Sequence, residues 1–193
     1  MVNLQPHLTG YRREVLLEFD HAAAQLLALA RFVPAEDYGW APAEDARSFA
    51  AVLVHAATAN LLLLARAGAW PPSATEIYGE IEGGAKARLQ AMIRSNRRLE
   101  AAITAKAAIL DLLQHSFASV KDCWTEATEE QLWATVDLLG ELETVRRLYL
   151  RMLAHAHEHM GQAIAYVRAM GCHVPWPDPL RKAEEIEAAP AAR

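Results

Sequence analysis

The sequence predicts an all-α protein, and three observations favour this class. Hydrophobic residues make up 53% of the 193-residue chain, and alanine and leucine, which lose little entropy on entering a helix, are the commonest of them. Aromatic residues contribute only 7%, and the β-branched residues are scattered rather than clustered as in strands. Apolar residues also recur at helical spacing in four long segments. Together these features predict an antiparallel four-helix bundle.

The first two segments have clear ends. The first is predicted to run from Thr9 to Phe32, because the stretch VPAEDYGWAP that follows has two prolines and a glycine. The second begins near Asp45 or Ser48 and carries the apolar run FAAVLVHAATANLLLL. It is predicted to end at Gly68, since a glycine followed closely by prolines is a typical C-terminal stop.

The last two segments are predicted in the same way. The third runs from Thr104, as N-cap, to about Trp124, and a short helical turn follows at TEEQLW, which fits a Thr-x-x-Gln capping box. A loop then leads to the fourth helix, from Thr144 to Met170, which Gly171 closes.

A long crossover joins the second and third helices. Residues 73–102 contain the turn-like IEGG and a polar stretch that is either loop or a short helix. Its basic run, Arg94–Glu100, is either a solvated face or an anion contact. The bundle is predicted to occupy residues 1–177, with a charged, flexible tail at residues 178–193.

Charge and cysteine content limit the function classes. The net charge of −5 and a pI near 5.9 disfavour a nucleic-acid groove. Cys123 and Cys172 are far apart and form no CxxC pair, which is typical of a reducing compartment. No secretion signal is visible, and the apolar stretches look too short or too interrupted to cross a bilayer. We therefore expect a cytoplasmic protein that binds neither nucleic acid nor membrane.

The stretch HAHEH places three histidines within five residues. His155 and His159 are four residues apart, so they lie on one face of the fourth helix, whereas His157 points to the other side. A pair of imidazoles at this spacing is a known clamp for divalent metals. Ala156 follows the first histidine where metalloproteases have their glutamate, so a zinc-protease mechanism is excluded.

Two histidines alone make a weak metal site, and the best third ligand is His55. It is a polar residue in a nearly unbroken apolar helix, so its side chain needs a partner. A metal ion shared with the fourth-helix pair would supply one, but a hydrogen bond to a backbone carbonyl would also do so. Three neutral imidazoles suit zinc, nickel, iron or copper and leave coordination positions open for a substrate.

Several other residues are weaker site candidates. Gln162 and Tyr166 follow the histidine pair on the same stripe, and Glu158 lies on its flank; each is either a supporting or catalytic residue or an ordinary surface residue. His21 either lines a cavity or is a partly exposed helix residue. Arg47 is an anion-contact candidate, although a solvated charge is the simpler interpretation.

These residues carry a family resemblance. RSFAAVLVHAATAN resembles the second-helix signature of the DinB-like, damage-inducible family, and HAHEHMGQAIAYVRAMGCHVPWP resembles its fourth-helix signature. The likeness covers roughly residues 10–177. It implies a four-helix bundle in which His55, His155 and His159 hold a divalent metal, zinc or nickel first, iron or manganese next. The wider superfamily includes thiol-dependent S-transferases and a mycothiol-dependent maleylpyruvate isomerase, which implies a low-molecular-weight thiol cofactor; many of its members look like homodimers.

The favoured hypothesis is therefore a metal-dependent enzyme of the thiol S-transferase or isomerase type, acting on a small molecule. A metal-dependent hydrolase and a non-catalytic metal-binding or stress-response bundle are the alternatives. A helical interaction module without metal remains only if the histidines are structural.

Overall fold

The computed structural model describes residues 8–138 and 140–177, which are mostly helical with one small two-stranded sheet. The predicted tail, residues 178–193, lies outside the described residues. The four long predicted helices are present as α1 (Gly10–Phe32), α2 (Phe49–Arg66), α5 (Lys106–Glu126) and α7 (Val145–Ala169). The all-α prediction is thus confirmed for most of the chain, and the sheet is its exception.

Side-chain caps fix several helix starts. The Ser48 hydroxyl accepts a hydrogen bond from the Ala51 amide at 3.2 Å, which makes Ser48 rather than Asp45 the N-cap of α2. Thr144 caps α7 in the same way. The predicted capping box is confirmed: Thr128 and Gln131 exchange both side-chain-to-backbone bonds at the start of α6 (Glu129–Trp133). These caps satisfy amides that the first helical turn leaves without partners.

The predicted N-cap of α5 is wrong by one residue. Ala105, not Thr104, is the N-cap, and no side chain caps this end. The first helical residue, Lys106, instead donates to the carbonyl oxygens of Arg31 and Val33 at 2.7 and 2.6 Å. Since the last carbonyls of α1 lack helical partners, the ammonium group joins the end of α1 to the start of α5.

The long helices bury their apolar faces against each other. α1 packs on α5 and α7, and α2 packs on the same two helices. Between α1 and α5, Phe19 and Phe117 meet edge to face with ring centroids 5.7 Å apart. Trp124 of α5 lies 4.7 Å from the ring of Tyr149 on α7. This core fixes α2 and α7 side by side, which is the arrangement that the site requires.

Helix α2 corrects one expectation about membranes. Its 18 residues have a mean hydropathy of 1.6, so by length and composition alone it could cross a bilayer. However, 67% of the helix is buried inside the fold, as expected for the central helix of a core. The apolar run is therefore long enough for a span, contrary to the sequence-based expectation, but the fold itself covers it.

The crossover is more ordered than either predicted alternative. It contains two helices, α3 (Pro72–Tyr78) and the 18-residue α4 (Ala85–Ala102), and α4 packs along α2. Asn96 of α4 forms hydrogen bonds to both α2 and α3. Its Oδ1 accepts from the Tyr78 hydroxyl of α3 at 2.6 Å, and its Nδ2 donates to the Thr58 carbonyl of α2 at 3.4 Å. The prediction that the polar stretch is a loop or a short helix is therefore wrong, because the stretch forms an 18-residue helix.

The predicted loop before α7 is also wrong. Strands β1 (Thr135–Leu138) and β2 (Glu141–Thr144) pair antiparallel. In the turn, Gly140 has a positive φ of 98° and its amide donates to Asp137 Oδ1 at 2.8 Å. Since Thr144 both ends β2 and caps α7, the hairpin fixes where α7 begins.

Candidate metal centre

Helices α2 and α7 bring the three predicted histidines together. His155 and His159 lie one turn apart on α7, and their ring centroids are 4.3 Å apart. The His55 ring on α2 lies 5.1 Å from that of His155 and 4.8 Å from that of His159. One ring nitrogen of each residue lies within 4.8 Å of the others. The face predicted from the i,i+4 spacing is thus the face that meets α2.

The nitrogen distances fit a metal site. His155 Nε2 lies 3.3 Å from His55 Nε2 and 3.0 Å from His159 Nε2. Zinc–imidazole bonds of about 2.0–2.1 Å at angles between roughly 90° and 109° separate two ligand nitrogens by about 2.9–3.4 Å. Both measured separations already lie in that range. The cluster has the donor type and spacing that a divalent ion needs.

Two neighbouring side chains select the ring nitrogens that face the centre. Glu100 of α4 accepts from His55 Nδ1 at 2.8 Å, and Gln162 Oε1 accepts from His159 Nδ1 at 3.0 Å. Because a neutral imidazole carries its proton on one nitrogen only, these bonds leave both Nε2 atoms with a free lone pair. Outer partners of this kind orient metal-binding histidines and raise their basicity.

Burial keeps the α7 histidines neutral. It lowers the pKa of His155 from its ordinary value of 6.5 to about 3, with smaller contributions from His159, His55 and Arg151. Burial also lowers the pKa of His159, although the hydrogen bond that His159 donates to Gln162 acts in the opposite direction. His155 Nδ1 is buried and has no hydrogen-bond partner in the described part of the chain. Neutral imidazole is the form that binds metals.

A chain of hydrogen bonds extends from the histidines to the start of α2. Beyond its contact with His159, Gln162 donates from Nε2 to the Tyr166 hydroxyl at 3.0 Å, and that hydroxyl donates to the Arg47 carbonyl at 3.2 Å. The Tyr166 ring also packs edge to face on Trp40, with centroids 5.2 Å apart. Gln162 and Tyr166 therefore position His159 rather than face an open space.

A cavity of about 380 Å³ opens beside the cluster, between α2, α4 and α7. His55 and His155 lie in its wall, so two of the three imidazoles are accessible from it. The other wall residues combine apolar and charged groups. They are Arg47, Ala59, Leu62, Leu63, Ile93, Asn96, Arg97, Glu100 and Arg151.

Two of the other predicted candidates, Glu158 and His21, lie away from this centre. Glu158 is on the outer surface, where its two oxygens accept from Arg151 at 2.9 and 2.6 Å, and this hydrogen-bonded pairing lowers its pKa. His21 is exposed on α1 and does not line the cavity. Two of the anion-contact candidates do line the cavity: Arg47, whose Nε donates to Glu100 Oε2 at 2.7 Å, and Arg97 of the basic run Arg94–Glu100.

Sequence reasoning missed Glu100, which contacts both His55 and Arg47. A signal for it exists. Ile93, Asn96, Arg97 and Glu100 are spaced i, i+3, i+4 and i+7, so they form one face of a helix. This face of α4 is the one that lines the cavity.

The fold and the site define a mostly helical protein with a three-histidine cluster between facing helices, where helical bundles commonly place metal sites. The chain belongs to the DinB superfamily, whose family model matches residues 18–163. This finding agrees with the resemblance of the second and fourth helices. A comparison with curated proteins gave no match.

Solved structures with a similar fold include three instructive ones. A DinB-like protein from Bacillus cereus ATCC 10987 has a TM-score of 0.62 at 17% identity, covering 85% of this chain and 95% of that one. A DinB-like protein from Bacillus subtilis has a TM-score of 0.58 at 20% identity, covering 84% and 96%. A mycothiol-dependent maleylpyruvate isomerase has a TM-score of 0.56 at 14% identity, covering 78% of this chain but 59% of the isomerase. At these identities the likeness concerns the fold.

Proposed function

We propose that His55, His155 and His159 bind one divalent metal ion, and that the protein is a metal-dependent enzyme of the thiol S-transferase or isomerase type. The observation that carries the proposal is the convergence of three ring nitrogens beside an open cavity. Zinc and nickel are the preferred ions, since both accept three imidazoles, and iron or manganese come next. The substrate is a small molecule, and a low-molecular-weight thiol is the proposed co-substrate.

The roles of the protein groups follow from their contacts. Glu100 and Gln162 hold the His55 and His159 rings so that Nε2 of each points to the centre. The walls from α2, α4 and α7 orient a substrate next to His55 and His155. A divalent ion, when bound there, supplies a Lewis acid that lowers the pKa of a coordinated thiol or water.

The cavity favours thiol chemistry over hydrolysis. Hydrolysis needs a general base within hydrogen-bond reach of the attacking water. Glu100 is the one carboxylate among the described residues of the cavity wall, and its two oxygens already accept from His55 and Arg47. Glu158, the other carboxylate candidate, is paired with Arg151 on the outer surface. A thiol activated by the ion needs no such base. The mycothiol-dependent isomerase shares the fold, which supports the same preference.

Metal analysis tests the first half of this proposal. We expect the purified protein to carry about one divalent ion per chain, and His55→Ala and His159→Ala to lose it. His115→Ala is the matched control, because His115 is an exposed histidine paired with Asp111 on α5. If the wild type neither carries nor takes up an ion, the metal proposal is wrong.

Thiol assays test the second half. The metal-loaded protein is incubated with thiols such as glutathione or mycothiol and with electrophilic acceptors, and consumption of the thiol is followed. Turnover that His159→Ala abolishes supports an enzyme. A metal-loaded protein that turns over no pair favours the alternative, a non-catalytic metal-binding bundle.

Further features of the protein are part of the same proposal. We propose that the four long helices form an antiparallel bundle within a single domain over residues 1–177. We also propose a cytoplasmic homodimer that binds neither nucleic acid nor membrane. Sedimentation of the full chain tests the dimer directly.

A further inference from the structure

The cavity beside the histidines has a charge opposite to that of the chain. The whole sequence carries a formal charge of −5. The cavity wall contains three arginines, Arg47, Arg97 and Arg151, against one acidic residue, Glu100, so its formal charge is +2. A concave surface lined by one sign of charge concentrates field lines and attracts ligands of the opposite sign.

The three arginines are not equally available. Arg47 pairs with Glu100 at 2.7 Å, and Arg151 pairs with Glu158 at 2.6 Å. Arg97 is exposed and makes no ion pair with any residue in the ranges 8–138 and 140–177. The cavity therefore offers a guanidinium whose donors are free to bind an anion.

An apolar wall lies beside this cation. His55, Ala59, Leu62 and Leu63 are spaced i, i+4, i+7 and i+8, so they share one face of α2, with the histidine at one end. Ile93 of α4 lies in the same cavity wall. A ligand here contacts hydrocarbon over much of its surface.

The pairing of α2 with α4 locates Arg97 along that wall. Glu100 contacts His55, and Asn96, one turn earlier on α4, contacts Thr58, further along α2. The two helices therefore run in opposite directions here. Along the cavity, Arg97 lies between the end that carries the histidines and the end that Leu62 and Leu63 line. An anion bound by Arg97 leaves room for an apolar body on one side and the histidine cluster on the other.

We propose that the substrate of this site is a small carboxylic acid with an apolar body, and that Arg97 binds its carboxylate. The planar guanidinium matches a carboxylate in a two-point contact. A single negative charge fits better than the double charge of a phosphate, because the Glu100 carboxylate lies in the same wall. This inference rests on the proposed function, since it names the substrate class for that site.

Binding of a matched ligand pair tests the inference. 4-Phenylbutyrate and its uncharged amide, 4-phenylbutanamide, have the same apolar body, and their binding to the metal-free full chain is measured by calorimetry. We expect the acid to bind about tenfold more tightly than the amide, and Arg97→Gln to weaken the acid about five- to tenfold while leaving the amide unchanged. Arg98→Gln is the matched control, because Arg98 is exposed on the same helix but does not line the cavity.

A second variant tests the apolar wall. Ile93→Ala should weaken the acid and the amide by the same factor of about three- to fivefold, because both ligands contact the wall through the same ring. Equal affinities for acid and amide in the wild type, an equal loss of both in Arg97→Gln, or no binding of the acid up to about 10 mM would overturn the inference.

Repeating the titrations with zinc added separates this inference from the metal proposal. A preference for the acid that appears only with zinc, and that Arg97→Gln does not change, means that the ion binds the carboxylate; the inference then fails while the metal proposal stands. If the protein takes up no metal but shows a preference for the acid that Arg97→Gln removes, the metal proposal fails while the inference about Arg97 stands.

Discussion

The contact between Glu100 and His55 gives the sharpest test of how the site is built. Glu100 Oε1 accepts from His55 Nδ1 at 2.8 Å, and Oε2 accepts from Arg47 at 2.7 Å. The carboxylate side chain is only 13% exposed, so solvent screens these contacts weakly. Replacing Glu100 should therefore weaken metal binding although Glu100 is not itself a proposed ligand.

The size of the effect follows from the groups lost. Replacing the outer partner of a metal-binding histidine typically lowers metal affinity about 10–100-fold, or roughly 1.4–2.7 kcal/mol. Glu100→Gln keeps one acceptor oxygen for His55, so we expect about tenfold. Glu100→Ala leaves His55 Nδ1 without a partner and Arg47 without its counter-charge, so we expect a loss near 100-fold.

The assay is a competition titration of zinc against a chromophoric chelator near neutral pH, with melting curves to confirm that each variant folds. Glu158→Gln is the matched control: it removes the same charge from an ion pair that is half exposed, 51% for the glutamate side chain, and does not contact a histidine. We expect it to change zinc affinity less than about threefold. Equal shifts in the Glu100→Gln and Glu158→Gln variants, or none in Glu100→Ala, would refute the argument that Glu100 orients His55.

Three further predictions concern stability. Because burial lowers the pKa of His155 from 6.5 to about 3, the unfolded chain binds a proton between these pH values and the folded chain does not. The free energy of unfolding of the metal-free protein should therefore fall as the pH drops from 6.5 towards 3. Urea titrations should show a weaker pH dependence for His155→Gln, and the same pH dependence in both proteins would contradict this prediction. Lys106→Met removes the ammonium that binds two carbonyls at the end of α1 and should lower the free energy of unfolding by about 1 kcal/mol. The control variant Lys86→Met, at an exposed position, should leave it unchanged. Equal effects of the two variants in urea unfolding would refute this role of Lys106. Leu113→Ala leaves a cavity at a fully buried position and should lower the free energy of unfolding by about 2–5 kcal/mol. Leu142→Ala, at a side chain that is 78% exposed, should lower it by less than about 0.5 kcal/mol. A small loss for Leu113→Ala would mean that the core is packed differently.

Local patterns made the long helices and the histidine pair predictable. The spacing of His155 and His159 fixes their common face, because helix geometry alone determines it. His55 was predictable because an imidazole in an apolar helix needs a partner. Which partner it has could not be predicted, since that depends on how α2, α4 and α7 pack. The structure supplies a carboxylate on one nitrogen and the histidine pair beside the other.

The hairpin before α7 and the helix α4 show two different reasons for failure. The strands Thr135–Leu138 and Glu141–Thr144 have four residues each, which is the lower limit for recognising an alternating pattern. Helix α4 is long enough, but Met92 and Asn96 are its only buried residues in the described structure. A helix that covers a cavity rather than filling a core is polar overall, so its low apolar content hides it in the sequence although its few large apolar residues keep helical spacing.

The mixed composition of α4 also explains why the histidine cluster could be predicted while the residues around it could not. Residues that bind an ion are selected for one donor type, so their identity and spacing appear in the sequence. Residues that line a cavity are mixed: the cavity face of α4 has apolar Ile93, polar Asn96, cationic Arg97 and anionic Glu100 within two turns. The helical spacing of these residues indicates a shared face, but their mixed chemistry does not show whether that face meets solvent or a cavity. Only its packing against α2 places those four residues in one cavity wall, and the Arg97 and Glu100 variants therefore test two separate proposals for one helix face, anion binding and orientation of His55.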